Sequence, residues 1–463
     1  MKNSHSDEEI EDYLMLIKSF KEGQRSYLDE EVFELVAHYY GAEEQFKQMV
    51  EVCELGLSIH TYSSALWHCY ADALTFNGES EKAPKAIEKA LELQPNSPAV
   101  LQTKIRYLLL VGNFAEAVDL LKDIEDRVED KAYIYKCLGL AHDIQDNRKK
   151  AIFYWEKAIH EDPRDASVLR SLLELVKEEK YAQKLKASYN KLIDQDTHDP
   201  DLWFCLGLVL DHLSDKEATV EAFEYATYLK PDFEEAYEFL GHAFMNQSKH
   251  EKALECYQTV LAMQEVPTAD ICCHIGACYE ELGNYTEASK QYQKALEQDK
   301  HWDYAWFGLG SCLLQQERFS ESLYFFNKAI KITSNNPIFW IALAKAEGSM
   351  GNFHSANEAY EQACLIAADR PELWLEWSEL FQDQELWEEA ISIIERGIDE
   401  VGESPELLYR LVAYCFKGGN YQEGIVQLQV ALAANYEKHT LLYEYFTDLE
   451  TQKTLYTLIE RLK

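Results

Sequence analysis

Tryptophan recurs along this chain at a fixed interval. Trp306, Trp340 and Trp374 stand 34 residues apart, and Trp67 and Trp203 are separated by four such steps. A unit of that length cannot bury an apolar face alone, so it has to stack on copies of itself. With tryptophan as the fourth position, units open at residues 30, 64, 98, 132, 166, 200 and 234. After one extra residue around Val266–Pro267 they resume at 269, 303, 337, 371 and 405. A repeat that fills the chain in this way leaves no room for a separate catalytic domain.

The unit has an internal pattern of its own. Unit 269, the one opening at residue 269, carries Ile275-Gly276, Tyr279, Gly283, Tyr285, Ala288, Tyr292 and Ala295. Large residues at positions 4, 7, 11 and 24 follow the i, i+3, i+4, i+7 spacing of an amphipathic helix. Small residues at positions 8 and 20, such as Ala71 with Ala83 or Gly241 with Ala253, allow two helices to cross closely. Pro95, Pro163 and Pro231 stand at position 32. Pro98, Pro200, Pro337, Pro371 and Pro405 stand at position 1, where proline opens a helix without losing a hydrogen bond. Only 10 Pro and 19 Gly in 463 residues suit helices joined by short turns.

This pattern resembles the tetratricopeptide repeat. The resemblance implies an all-α fold, an α-α solenoid wound as a right-handed superhelix of about twelve to thirteen helical hairpins. Residues 1–29 read as a capping helix, with Ile10, Tyr13, Leu14, Ile17 and Phe20 on one face. Residues 30–438 hold twelve units. Residues 439–463 hold a partial repeat in which Leu441, Leu442, Tyr445 and Phe446 begin a thirteenth first helix, followed by a last amphipathic helix around 451–462. Units 98 and 166 depart from the pattern, with Ile105, Leu173, Leu185 and Leu192 where small residues are expected. The two helices of unit 166 should therefore be splayed.

Charge narrows the partners. The chain has 82 acidic and 44 basic residues, a net charge of −38. Binding to a phosphate backbone or to an anionic lipid surface relies on Lys and Arg, so neither nucleic acid nor membrane is expected as a partner. Residues 101–200 are near neutral, between acidic flanks. Eleven cysteines without a Cys-x-x-Cys pair indicate reduced thiols and a cytoplasmic setting. Cys272, Cys273 and Cys278 match no zinc template and are read as core thiols, so no metal or other cofactor is expected. There is no Gly-rich phosphate loop, His-Glu-x-x-His or Gly-x-Ser-x-Gly, and the chain reads as non-catalytic.

The resemblance places binding in a concave groove lined by positions 2, 5, 9, 12 and 13 of each first helix. It contributes Tyr304, Phe307, Ser311, Ile341, Lys345, Leu375 and Glu379, an apolar strip able to hold a helix or an extended peptide. Glu238 and His242 add a polar stretch. Arg106, Lys136, Arg170 and Lys177 form a candidate site for acidic segments. Glu372 and Asp383 suggest that the rear half favours a basic peptide with apolar anchors. The carboxylate-clamp subclass needs Lys at 5 and Asn at 9 and further cations in successive units, which this chain lacks. The expected function is a protein-interaction scaffold. Self-assembly into a homo-oligomer is the alternative, and an RNA-reading helical repeat is the more remote one.

Overall fold

The computed structural model describes residues 7–24, 27–79, 81–125, 127–128, 130–176, 178–446 and 449–462. The described residues are helices joined by turns, with no strand among them. The chain divides into two compact units of structure, Met1–Leu229 and Lys230–Lys463. Each is a succession of helix pairs in which a first helix packs on its partner. The first helices begin at Glu30, Ser64, Pro98, Lys131, Ala166 and Pro200 in the former. In the latter they begin at Glu234, Ala269, Asp303, Pro337, Pro371 and Pro405. Ser63, Asp130, Asp165, Asp199, Thr268 and Asn336 cap six of these helices, their side chains accepting from backbone N–H groups of the first turn.

The five repeating tryptophans do more than fill space. In each, Nε1–H donates to the carbonyl six residues earlier: Trp67 to Thr61 at 2.8 Å, Trp203 to Thr197 at 3.1 Å, Trp306 to Lys300 at 3.0 Å. Trp340 bonds Ser334 at 2.9 Å and Trp374 bonds Ala368 at 2.8 Å. Each acceptor is position 32 of the preceding repeat, so one side chain pins the turn between repeats.

The glycine at position 8 answers to the ring at position 24. A Cβ on Gly139 would stand 2.3 Å from Trp155, one on Gly207 2.3 Å from Phe223, and one on Gly241 2.6 Å from Tyr257. Gly276 under Tyr292 and Gly310 under Phe326 repeat the arrangement. The turn between paired helices is equally regular. Position 15 is left-handed in every repeat except unit 166; it is Gly78, Gly112, Gly283, Gly351 and Gly419 in five of them. Glu44, Asp146, Ser214, Ser248, Glu317 and Glu385 adopt the same conformation without being glycine.

Unit 166 is built differently. Its first helix, Ala166–Leu175, has 10 residues and its second, Glu179–Gln195, has 17. The two lack the close backbone packing that joins the other pairs. Leu173 is buried at a position where eight of the other eleven repeats have glycine or alanine. Tyr189 turns to the preceding turn and donates to the Pro163 carbonyl at 3.0 Å.

At the N-terminal end the helix Asp7–Lys21 packs Tyr13, Leu14, Ile17 and Phe20 on Phe33 and its neighbours. The C-terminal end differs from the sequence expectation of a thirteenth first helix. A 3-10 segment, Tyr436–Leu441, leads into only four helical residues, Leu442–Tyr445. The helix Leu449–Leu462 then covers the last pair, with Leu455 and Ile459 buried. The extra residue near Val266 is absorbed in the turn before Ala269, where the Gln264 side chain accepts from the Thr268 N–H at 3.2 Å.

Candidate functional site

Of the groove residues expected from the sequence, Tyr304 and Phe307 line one cavity in the second compact unit. Positions 2, 5, 9, 12 and 13 of unit 269 are Asp270, Cys273, Ala277, Glu280 and Glu281. All five line this cavity of about 450 Å³, together with Tyr304 and Phe307 from positions 2 and 5 of the next repeat. Trp302 and Tyr292 complete its apolar wall, and His274 lies at its edge.

Glu280 is the chemically unusual member. Its carboxylate accepts from the Ser311 hydroxyl and, at 2.9 Å, from the Tyr292 hydroxyl. Burial raises its pKa against the opposing pull of these two donors. Burial and the adjacent Glu280 likewise push the Tyr292 phenol up, so it stays a donor. The groove residues expected from the sequence include Ser311, at position 9 of unit 303, but not Glu280, although position 12 belongs to the groove. Nothing in a lone glutamate announces that a serine 31 residues away will reach it.

The strip expected from the sequence is only partly available. Tyr304 is 50% exposed, stands edge-on to Phe339 and accepts from the Asn336 amide at 3.3 Å. Phe307 is half-buried and stacks on Phe339 at 5.2 Å. Ile341 and Leu375 pack against the same core. Lys345 pairs with Glu376 at 3.1 Å, and Glu379 accepts from the largely buried Arg410 at 3.1 Å. Glu372 and Asp383 are exposed. In the first compact unit, Arg106 pairs with Asp72 and lies over the Phe76 ring. Lys136 reaches Asp165 and Ser167, each at 2.7 Å. These two cations tie neighbouring repeats, which satisfies them internally. Arg170 is half-buried on the helix Ala166–Leu175. Lys177 lies outside the described residues.

Beside the cavity, Glu238 and His242 share one face of the helix Glu234–Met245, with Oε1 and Nε2 3.8 Å apart. His274, from the following first helix, meets His242 edge to face with ring centroids 4.6 Å apart. Its Nε2 lies 3.2 Å from Asp270, whose carboxyl is held below its ordinary pKa by His274. Glu238 and His242 stand at groove positions 5 and 9 of unit 234, whereas His274 stands at position 6 of unit 269, outside the expected groove set. Cys272, Cys273 and Cys278 are all buried, and burial pushes the Cys273 and Cys278 thiols up to about 12.

Profiles described as Tetratricopeptide repeat match residues 5–187, 232–301 and 279–337. Over 61 residues the chain is 41% identical to the Saccharomyces cerevisiae Anaphase-promoting complex subunit CDC27, covering 13% of this chain and 8% of that protein. Over 166 residues it is 25% identical to the human Protein O-mannosyl-transferase TMTC1, covering 35% of this chain and 19% of that protein. The matches thus span less than a fifth of the length of these curated relatives. Among solved structures, the crystal structure of yeast Tom70 aligns with a TM-score of 0.47 and 14% identity, covering 94% of this chain and 95% of that one.

Proposed function

Since the chain belongs to the tetratricopeptide repeat family, we propose that it is a non-catalytic scaffold that holds a peptide or protein partner against the first helices of units 269 and 303. The observation that carries this reading is the cavity of about 450 Å³ that combines aromatic walls with the carboxylates of Asp270, Glu280 and Glu281. Such a lining suits a cationic side chain next to an apolar anchor, and the net charge of −38 steers a basic segment toward it. The reading includes a reducing, cytoplasmic setting, in keeping with eleven unpaired buried cysteines. No described helix is long and apolar enough to cross a membrane.

A peptide library displayed against the purified chain tests the idea. Sequences pairing Lys or Arg with an aromatic or aliphatic residue should be enriched, and Tyr304→Glu should abolish the enrichment while helicity is unchanged. Equal capture by both proteins, or enrichment of acidic peptides, would remove the assignment. Light scattering should report a monomer across the concentrations used; a concentration-dependent mass would favour self-assembly instead.

A further inference from the structure

We propose that Glu238, His242 and His274 bind a divalent transition-metal ion of the zinc class, joining the first helices of units 234 and 269. Each side chain offers one donor atom, and the three atoms lie within 4.8 Å of one another. Ligand atoms bound at about 2.0–2.1 Å to a tetrahedral ion stand roughly 3.3 Å apart. The Glu238–His242 separation of 3.8 Å is close to that edge, and the distances to His274, within 4.8 Å, have to shorten by side-chain rotation for the set to close.

The surroundings are those of a built site. Glu238 and His242 are four residues apart on one helix and so project side by side. Nδ1 of His242 is 2.9 Å from the Tyr257 hydroxyl. With Nε2 on the ion, Nδ1 carries the proton and donates it to that oxygen. Tyr257 is buried, and its ring also stacks on His274 with centroids 5.0 Å apart and planes at 17°. Asp270 lies 3.2 Å from Nε2 of His274 and orients the second imidazole with Nδ1 left as its ligand atom. Hydrogen-bonded partners of this kind fix the tautomer and direction of metal-ligating histidines. Two imidazoles and one carboxylate are a familiar donor set for zinc, and they leave a fourth position for water. His274 also lines the cavity, which gives solvent a path to the ion.

The chain contains its own control. His354 and Glu358 have the same i, i+4 spacing and a 3.8 Å separation, but both are exposed and no second histidine joins them among the described residues.

The full chain, stripped with chelator, is titrated with Zn(II) by calorimetry and with Co(II) by visible absorption. One equivalent should bind. His242→Asn and His274→Asn should each weaken binding on the order of 100-fold, and Asp270→Asn about 10- to 100-fold. His354→Asn should leave it unchanged. Circular dichroism checks the fold, and Glu238→Gln replaces either histidine variant that fails to fold. The proposal is overturned if no saturable equivalent binds or if the histidine variants bind as tightly as the parent chain. A thiolate-to-cobalt charge-transfer band, placing the ion on cysteine, also overturns it. The site does not depend on whether the groove takes a peptide.

Discussion

The Tyr292 hydroxyl donates to Glu280 at 2.9 Å while the tyrosine ring lies between two glycines, Gly276 of its own repeat and Gly308 of the next. A Cβ at Gly276 would come within 2.8 Å of the ring, and one at Gly308 within 2.3 Å. The ring has no alternative place, so the hydroxyl is delivered to the carboxylate by packing. Tyr292→Phe keeps the packing and removes the donor. A hydrogen bond to a charged buried group contributes about 2 kcal/mol, and the variant should lose about that much at neutral pH. Amide exchange in the helices Ala269–Glu281 and Tyr285–Gln298 would register the loss locally. Unchanged protection would show that Ser311 alone satisfies Glu280.

Glycine at position 8 can be tested against glycine in the turn. Gly207→Ala drives a methyl to 2.3 Å from Phe223 and should cost about 2 kcal/mol through overpacking. Gly283→Ala meets open space but keeps φ near +73°, so it should cost about 1 kcal/mol from backbone strain. Urea melts of the two variants should differ in that order; the reverse order would mean that the ring moves freely.

The left-handed turn residues that are not glycine offer stabilisation. Glu317 and Glu385 hold φ at +58° and +57°. Replacing either by glycine removes a strain of about 1 kcal/mol, part of which is returned as unfolded-chain entropy. The double variant should melt at a higher temperature than the parent, and a lower melting temperature would refute the strain.

His142 should make the first compact unit acid-sensitive. It is buried, stacks on Tyr154 at 5.5 Å, and neither ring nitrogen has a hydrogen-bond partner among the described residues. Burial lowers its pKa below the ordinary 6.5. A histidine depressed in the folded state favours folding fully above the unfolded value, and that contribution is lost as pH falls below 6.5. His142→Phe should therefore narrow the gap in melting temperature between pH 7.5 and pH 5.5. An identical gap in both proteins would assign the acid sensitivity elsewhere.

Trp340→Phe probes the pinned turn. It keeps an aromatic ring and deletes the bond to the Ser334 carbonyl, for an expected loss of about 1 kcal/mol. The Ser334–Pro337 segment should become more susceptible to limited proteolysis, and an unchanged cleavage pattern would make the tryptophan a packing residue only.

Periodicity made the helix pairs legible because each repeat has to satisfy the same neighbours. Trp340, Gly310 and Pro337 occupy positions whose local physics recurs, and they could be read without coordinates. The site was harder. Phe307 and Ile341 sit at groove positions, yet part of each side chain is drawn into the core between repeats. Lys136 looked like a cation for a partner until Asp165, 29 residues on, was placed beside it. Glu280 and His274 acquire their character only from residues of other helices, and a pattern within one repeat carries no trace of those.

The loosened pair at Ala166–Leu175 and Glu179–Gln195 bears on how the chain comes apart. In a linear array, each repeat passes its stability to the next through the shared interface. Here the first helix packs on the repeats to either side, yet the pair lacks close backbone packing of its own. Local stability should therefore be lowest here within the first compact unit, with amide exchange fastest around Leu173, which fills the room left by glycine or alanine in most other repeats.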